Sequence, residues 1–249
     1  MKVFIIGYGN VGSSIHRVFE EVGVEVTGIF SRSKIENTSV EHYNNLSQIP
    51  TNADIYLISV SDDAIASVCN QIPKQVRDSK VIAHTSGTQS LEVLNSATYA
   101  GIFYPLQTFT KGQKIDFSDV PMLLYSTHDT VYTQLEALAN KISSCVKRTN
   151  DADRKVIHLS AVMINNFVNH IIYKAEKNLE DHNIEKSLLQ PLLLETIKKQ
   201  EVLGAYAAQT GPAKRKDKLT IQKHIEMLDS EGDKKLYKNI SKSIKKTYK

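Results

Sequence analysis

A glycine motif at the beginning of the chain constrains the fold more than any other feature. Residues 2–6 form an apolar run typical of a buried strand, and the next six residues have the pattern G-x-G-x-x-G. Residues 13–22 then repeat apolar side chains at helical spacing. A strand, a glycine turn and a helix in this order begin a doubly wound α/β fold that binds a dinucleotide. The predicted cofactor-binding residues of this turn are Gly7, Tyr8, Gly9, Asn10, Val11 and Gly12.

Each glycine has its own physical role in this prediction. Gly7 permits the tight turn out of the strand, and Gly9 has no side chain, so a pyrophosphate can approach the backbone. Gly12 lets the helix pack closely against the strand. The helix N-terminus offers unpaired N–H groups and a partial positive charge to the phosphates. The alternative is a glycine-rich turn in an α/β protein that has lost its cofactor.

The end of the second predicted strand indicates which dinucleotide binds. NAD sites usually have an acidic residue there, which binds the ribose 2′-hydroxyl. Residues 25–30 form this strand, and Ser31, Arg32 and Ser33 follow it without an acid. Because a guanidinium group binds phosphate oxygens with charge-assisted hydrogen bonds, this segment favours NADP(H) over NAD(H). The alternative for Arg32 is an ordinary solvated loop residue.

Strands alternate with helices through residues 1–150, which predicts a doubly wound, mainly parallel sheet. Ligands bind such sheets beyond the carboxyl ends of the strands. Val60 and Ser61 lie where a strand end passes the cofactor, and Asp62 or Asp63 is expected to cap the following helix, residues 64–71. The small residues after the next strand are predicted to bind substrate: Thr85, Ser86 and Gly87. Further strands are predicted over residues 100–109, 121–125 and 146–148, and a short helix over 90–94.

Residues 151–249 have helical patterns without a convincing strand, which predicts a second, all-helical domain. Asp151 to Asp153 are expected to cap a helix that extends to about Glu180 and is apolar nearly all round. Such a helix is buried within its own domain or in a dimer interface. Later helices are predicted over residues 185–203 and 220–228, and a basic amphipathic helix at the end of the chain.

Polar residues on the long helix are the candidate catalytic groups. His158 and Asn165 are seven residues apart and therefore share a face. His158 can transfer a proton to a carbonyl or imine, and Asn165 or Asn166 can hold a polar substrate. The alternative is a set of hydrogen-bonded interior residues, because buried imidazoles and amides need partners. Arg215 lies in a Gly-Pro turn before a helix that Asp217 is expected to cap, and it can bind an anionic group or belong to an ordinary connection.

Composition excludes several classes of protein. The formal net charge of +4 comes from lysines in the last helix, and no aromatic platform or DNA-reading motif accompanies them, so a nucleic-acid partner is not expected. No stretch approaches the roughly 18 apolar residues of a membrane span. A strand begins at Lys2, without a secretory signal before it. Two cysteines make no disulfide framework, and no Cys/His spacing predicts a metal site. We therefore expect a cytoplasmic protein.

Several short segments resemble known families. The first half is similar to the NADP-binding domain of pyrroline-5-carboxylate reductase, coenzyme F420-dependent NADP reductase and β-hydroxyacid dehydrogenases. The whole chain resembles Rossmann-like proteins with a helical C-terminal domain of the DUF2520 family. The matching segments are His84-Thr85-Ser86-Gly87, Pro105-Leu106-Gln107-Thr108-Phe109, His158-Leu159-Ser160-Ala161-Val162, Asn165-Asn166-Phe167 and Thr210-Gly211-Pro212, with Arg215, Asp217, Thr220 and His224.

The resemblance implies an NADP-dependent oxidoreductase without indicating a substrate. It implies that Ser86 binds substrate, and that the helical domain is like that of 6-phosphogluconate dehydrogenase and forms a homodimer. Two residues depart from the family pattern: Tyr104 replaces a histidine, so any role of that histidine is lost or passes to a phenol, and Lys216 replaces a glycine. The Lys-x-x-x-Asn helix pair of β-hydroxyacid dehydrogenases is not found on the helix that carries Asn165, because Lys155 precedes Asn165 by ten residues, so their acid–base mechanism does not carry over.

These observations predict an NADP(H)-dependent oxidoreductase that transfers hydride to or from a small carbonyl, imine or hydroxy compound. Its candidate catalytic residues are His158, Asn165 and Ser86. The competing hypothesis is a non-catalytic NADP-binding sensor or interaction module, which the lack of a firmly assigned proton donor favours.

Overall fold

One sheet organises the first half of the chain. The computed structural model describes residues 1–35 and 40–248. Within them, eight strands form a single sheet in the order β3-β2-β1-β4-β5-β6-β7-β8, and only the β6–β7 pair is antiparallel. The strands are β1 (Lys2–Ile6), β2 (Glu25–Phe30), β3 (His42–Tyr43), β4 (Ile55–Ile58), β5 (Val81–His84), β6 (Tyr99–Pro105), β7 (Met122–Tyr125) and β8 (Val146–Arg148). The predicted doubly wound, mainly parallel fold is confirmed.

The alternation of side chains along β1 explains why the sheet is buried on both faces. Val3 and Ile5 point into one apolar core, and Phe4 and Ile6 point into a second core on the opposite face. The chain turns from β1 to β2 on one side, and β4 pairs with β1 on the other. This reversal opens a crevice at the carboxyl ends of β1 and β4, which is where doubly wound sheets bind ligands.

Helices cover both faces of this sheet. They are α1 (Asn10–Glu21), α2 (Ile65–Gln71), α3 (Lys74–Ser79), α4 (Asp129–Ala139) and α5 (Asp151–Val162). The residues predicted to form a helix over 90–94 form a short 3₁₀ turn instead, Leu91–Leu94.

Two predicted helix caps are wrong. Asp62 and Asp63 lie in a 3₁₀ turn before α2, whose first residues receive no side-chain cap. The N-terminus of α5 is capped by Asn150, whose side chain accepts a hydrogen bond from the Asp153 N–H at 2.8 Å. An Asn is as effective a cap as an Asp, and it precedes the acidic pair by one residue.

A second helical stretch continues directly from α5. The π-helical segment Met163–Phe167 joins α5 to α6 (Val168–Asp181), so the helix extends over Asp151–Asp181. The chain divides into two compact units, Met1–Asn165 and Asn166–Lys249, and the division falls within the π-helical segment. The proposed domain boundary at residue 150 stays a prediction.

The second unit has a small core of its own. Its helices after α6 are α7 (Gln190–Leu203), α8 (Ala205–Ala208), α9 (Lys218–Glu226) and α10 (Glu231–Thr247). The core between α9 and α10 contains Ala213, Ile221 and Ile225, with Tyr237 and Ile244 packed against it. The apolar face of the predicted basic helix is therefore used within the unit. Lys249, the last residue of the predicted basic helix, lies outside the described residues.

The entry to α9 follows the predicted turn. Asp217 caps the helix, because its Oδ1 accepts the N–H of Thr220 at 3.0 Å. Lys216 has a φ of 59°, in the left-handed region that favours glycine. The family that the chain resembles has glycine at this position. Lys216 therefore adopts a backbone conformation that glycine adopts more easily.

The long helix is exposed within a single chain, so its predicted burial inside its own domain is wrong. Leu159 is 60% exposed, Ile164 75% and Phe167 58%. The expectation that no stretch approaches a membrane span is also wrong, because Asp151–Asp181 would suffice to cross a membrane by length and composition alone. A helix that another protein surface covers has the same length and composition. These two properties therefore do not distinguish a membrane-spanning helix from a helix in a protein interface. The dimer interface, the second alternative for this helix, stays a prediction.

Candidate functional site

The glycine turn between β1 and α1 has three different environments. Gly7 has a φ of 99°, and a β-carbon there would lie 2.6 Å from the Ser59 carbonyl oxygen. A β-carbon on Gly12 would overlap the Gly7 carbonyl oxygen and lie 2.5 Å from Ser59 Oγ. At Gly9, no described atom would come within 4 Å of a β-carbon. Gly7 and Gly12 are thus required by the fold itself, whereas Gly9 leaves space open above the backbone.

The N-terminus of α1 is suited to an anion. Gly9 is its N-cap and makes no side-chain bond to the first N–H groups. The first turn, all of which is described, carries no acidic residue. Free N–H groups and the positive end of the helix dipole then face the space above Gly9. These features fit the pyrophosphate of a dinucleotide.

The other predicted cofactor-binding residues of this turn contact neighbouring parts of the chain. Asn10 donates from Nδ2 to the carbonyl oxygen of Phe109 at 3.0 Å. The Tyr8 hydroxyl is hydrogen-bonded to Nδ1 of the buried His16 at 2.8 Å. Val60 contacts the turn, because its Cγ1 would be 2.8 Å from a β-carbon on Gly7. The exposed Ser61 and half-buried Val11 complete this group.

The segment predicted to select NADP follows β2 as a tight turn. Ser31 Oγ donates to the Ser33 carbonyl oxygen at 2.7 Å, and His42 Nε2 donates to the Ser31 carbonyl oxygen at 3.0 Å. Arg32 at the tip of the turn is exposed. The turn therefore presents the Arg32 guanidinium to solvent beside the strand that follows the glycine motif.

The loop after β5 is held by its own side chains. Ser86 Oγ accepts hydrogen bonds from the N–H groups of Thr88 and Gln89, at 3.1 and 3.0 Å. The Thr88 hydroxyl donates to the Asp62 carboxylate, which joins this loop to the one after β4. Ser86 is 7% exposed. Both acceptor positions of its hydroxyl oxygen are occupied. Its hydrogen points to the Thr88 hydroxyl oxygen at the long distance of 3.4 Å, because the Thr88 hydrogen is already donated to Asp62.

A buried basic cluster lies beneath this loop. His84 and Arg154 have no exposed side-chain surface. Arg154 forms an ion pair with Asp151 at 2.8 Å and donates to the Gln89 carbonyl oxygen. His84 Nδ1 accepts the Ser86 N–H at 3.1 Å, so Nε2 carries the ring proton. Burial, with the positive charge of Arg154, lowers the pKa of His84 to about 4.

Two buried donor nitrogens of this cluster have no hydrogen-bond partner within the described part of the chain. They are His84 Nε2 and Arg154 Nε. The pKa of Asp151 is lowered although burial acts to raise it, because the carboxylate accepts hydrogen bonds from Arg154 and from the Leu91 N–H. The charge of Arg154 acts on its surroundings, because it contributes to the lowered pKa of His84 and acts to lower the pKa of Tyr104.

Tyr104 and His158 form a hydrogen-bonded pair above Gly87. The Tyr104 hydroxyl oxygen lies 2.9 Å from His158 Nδ1, although the residues come from β6 and α5. A β-carbon on Gly87 would overlap His158 Nδ1 and lie 2.8 Å from Tyr104 Cζ. The absence of a side chain at Gly87 therefore allows this pair to rest directly on the loop. Ile157 packs beside Tyr104 and anchors α5 to the sheet.

The structure brings some of the predicted residues of the first unit together. His158 contacts the loop that contains Ser86 and Gly87, and Thr85 begins that loop. Asn165 is exposed in the π-helical segment, where the helical period differs from that of an α-helix. The exposed Asn166 and Arg215 belong to the second unit.

Sequence reasoning missed Arg154 and the contact of Tyr104 with His158. Asp151, Arg154 and His158 are spaced three and four residues apart, which places them on one face of a helix. That spacing was available as a signal for a polar face. The contact with Tyr104 had no signal, because 54 residues separate the partners. No group of metal-binding side chains occurs in residues 1–35 and 40–248.

The arrangement provides two chemical elements at the carboxyl edge of the sheet. One is an anion-binding helix N-terminus with open space above Gly9. The other is a phenol–imidazole pair on a loop held by hydroxyl hydrogen bonds. Together they suit the binding of a dinucleotide and the transfer of a proton.

Solved structures show the same fold. A Bacteroides fragilis protein named a "putative NADP oxidoreductase" is 28% identical, with a TM-score of 0.90 over 98% of both chains. The imine reductase of Streptomyces aurantiacus is 14% identical, with a TM-score of 0.70 over 99% of this chain and 94% of that one. At this lower identity the likeness concerns the fold alone.

A curated relative matches only a short segment. The 4-hydroxy-tetrahydrodipicolinate reductase of Staphylococcus haemolyticus is 34% identical over 55 residues, which are 22% of this chain and 23% of that enzyme. Residues 1–108 match the family described as Rossmann-like domain. Residues 120–244 match the family described as "Domain of unknown function (DUF2520)", as the motifs indicated. The chain belongs to the DUF2520 family.

Proposed function

We propose that this protein is an NADP(H)-dependent oxidoreductase that transfers hydride to or from a small carbonyl, imine or hydroxy compound. The observation that carries the proposal is the contrast between the motif glycines: Gly7 and Gly12 are in close contact with backbone, and the space at Gly9 is open. Only a group that approaches the backbone makes use of that space. The name of the Bacteroides fragilis protein supports the same class of activity.

In this proposal the cofactor is NADP, and its pyrophosphate binds the N–H groups of residues 9–12. Arg32 binds the 2′-phosphate, and Ser31 and Ser33 shape the turn that presents it. When bound, the nicotinamide supplies or accepts the hydride. Val60 and Ser61 flank the dinucleotide where β4 ends.

The substrate binds at the loop of Thr85, Ser86 and Gly87. The Ser86 hydroxyl donates its hydrogen to the substrate in place of its 3.4 Å contact with Thr88, and His158 takes part in proton transfer. Asn165 is proposed to contribute an amide contact to a polar substrate. The roles of Asn166 and Arg215 in substrate binding, both in the second unit, stay predictions. The proton-transferring pair supports this class of substrate, because a carbonyl or imine needs one proton for each hydride.

Titration of the purified protein with NADPH and NADH, followed by nicotinamide fluorescence, tests the cofactor. We expect NADPH to bind at least tenfold more tightly. A screen of cyclic imines, ketones and hydroxy compounds with the preferred cofactor then tests turnover. Failure of both cofactors to bind would refute the proposal.

A second candidate function is a non-catalytic NADP-binding sensor or interaction module. The saturated acceptor positions of Ser86 favour it, because a loop bonded to itself has less capacity for substrate. A protein that binds NADPH tightly and turns over no compound would support this candidate. A His158→Ala variant that binds NADPH normally but loses a measured turnover would exclude it.

We also propose that the protein is a homodimer whose interface includes the long helix. Residues 156–173 contain no Asp, Glu, Lys or Arg, and the helix is exposed in the single chain. Exposed apolar surface of this extent is typical of protein interfaces. A second copy of the chain supplies a surface of the same character, as isologous dimers require.

A further inference from the structure

Tyr104 and His158 contact each other through their rings and through their polar atoms. The ring centroids are 5.9 Å apart, and the two polar atoms lie 2.9 Å apart above the backbone of Gly87. Tyr104 is 8% exposed, and His158 is half-buried. The Tyr104 side chain is therefore enclosed by the protein, whereas the His158 imidazole is accessible to water.

The hydrogen bond between these residues has two possible directions. If the phenol donates to Nδ1, its only hydrogen is used within the pair. If Nδ1–H donates to the phenol oxygen, the O–H of Tyr104 can donate to a bound molecule, and Nε2 of His158 can accept a proton from water. The second direction makes the pair a chain for proton delivery.

We propose that Tyr104 is the proton donor of the reaction and that His158 returns the proton to it. This inference rests on the proposed function. When bound, the reduced nicotinamide would supply a hydride, with its electron pair, to the substrate carbon. As the C=N or C=O double bond breaks, the nitrogen or oxygen takes the proton of the Tyr104 O–H bond. The phenolate then takes the Nδ1 proton of His158, while Nε2 takes a proton from water and hydroxide leaves to solvent. Exchange of the imidazole proton with water then returns His158 to the Nδ1–H tautomer before the next turnover.

The charges around Tyr104 suit this role. Burial raises the pKa of Tyr104, so the phenol keeps its proton at neutral pH. Arg154 acts to lower that pKa and Asp62 to raise it. The buried cation of Arg154 thus stabilises the phenolate at the moment it forms, and burial ensures that the proton is present beforehand.

Removal of the hydroxyl group tests the kinetic part of the proposal. With pyrroline or cyclohexanone as substrate and NADPH in excess, Tyr104→Phe is expected to lower kcat roughly a hundredfold or more, with the NADPH dissociation constant unchanged. Tyr132→Phe is the matched control, since its hydroxyl bonds Glu136 at the surface of α4. An unchanged kcat in Tyr104→Phe would overturn the assignment. A wild-type protein that binds no cofactor would refute the proposed function instead.

The direction of the hydrogen bond can be measured without turnover. Nitrogen-15 NMR of the imidazole distinguishes the Nδ1–H tautomer from the Nε2–H tautomer of His158 at neutral pH. We expect Nδ1–H in the wild type and a changed tautomer ratio in Tyr104→Phe but not in Tyr132→Phe. An Nε2–H tautomer in the wild type, with Nδ1 accepting from the phenol, would overturn the proposal whatever the substrate.

Discussion

Gly12 packs so closely on Gly7 that a β-carbon on Gly12 would overlap the Gly7 carbonyl oxygen. This contact joins the first turn of α1 to the end of β1. It fixes the direction in which the helix N-terminus points, and therefore where an anion can bind. Gly9 lies between these two residues, yet a β-carbon there would meet nothing described within 4 Å.

This difference predicts that alanine at Gly12 mainly lowers stability and that alanine at Gly9 mainly weakens NADPH binding. Gly12→Ala forces the backbone apart and is expected to cost about 1–3 kcal/mol of unfolding free energy. Gly9→Ala is expected to leave stability within about 0.5 kcal/mol of the wild type and to weaken NADPH binding at least tenfold, because the methyl group occupies the phosphate position. Urea unfolding and fluorescence titration measure the two effects. Normal NADPH affinity in Gly9→Ala would contradict the proposed site.

Substitution of Arg32 is predicted to affect NADPH and NADH differently. Arg32→Ala removes a charge-assisted contact to the 2′-phosphate, worth about 1.5–3 kcal/mol, so NADPH binding should weaken roughly tenfold to a hundredfold. NADH lacks that phosphate and should bind as before. Lys34→Ala, two residues further on, is the control. Equal weakening of both cofactors would show that Arg32 shapes the turn without reading the phosphate.

The strands and the glycine motif could be predicted because their signals are local. The apolar run of residues 2–6 and the glycine spacing are both contained in a dozen residues. The short helix α3 was missed, because it lies between Pro73 and β5 without an amphipathic repeat. The cap of α5 was assigned to the acidic pair, because Asn, Asp and Ser are equally good caps and sequence alone does not choose among adjacent ones.

The candidate site could be predicted only in part, because its contacts join distant segments. Thr88 bonds Asp62 across 26 residues, and His158 bonds Tyr104 across 54. Such pairs depend on strand order, which a single sequence does not specify. The exposure of the long helix within the single chain could not be predicted either. An apolar pattern predicts that a helix surface is covered, but it does not indicate which molecule covers it.

The exposed long helix predicts a change of molecular mass on substitution. The wild type is expected to have twice the chain mass of 27.9 kDa by light scattering. Ile164, which is 75% exposed, is expected to be buried in the dimer, so Ile164→Asp should yield a monomer. Val22→Asp, at the exposed end of α1, is the control and should stay dimeric. Flotation of the wild type with liposomes would instead indicate that the helix enters a membrane.

Lys216 offers a prediction about backbone strain. Its φ of 59° costs a residue with a side chain about 1 kcal/mol relative to glycine. Lys216→Gly is therefore expected to raise the free energy of unfolding or leave it unchanged. Lys218→Gly, in the first turn of α9, should lower it by about 0.5–1 kcal/mol. Similar losses in both variants would contradict the left-handed conformation.

His84 predicts how stability depends on pH. Burial and the charge of Arg154 hold its pKa at about 4 in the folded protein, against 6.5 when it is exposed. Between these values the unfolded chain binds more protons, so stability rises with pH from about 4 to 6.5, by roughly 3 kcal/mol in all. His84→Asn keeps an acceptor for the Ser86 N–H and cannot be protonated, so this contribution should disappear from urea unfolding measured across that range. The exposed His128 is the control, and His128→Asn should keep the wild-type slope. An unchanged slope in His84→Asn would show that the acid sensitivity between pH 4 and 6.5 arises elsewhere. Asp151 is not the source in that range, because the lowered pKa of its carboxylate withdraws stability only below its ordinary value of 3.8.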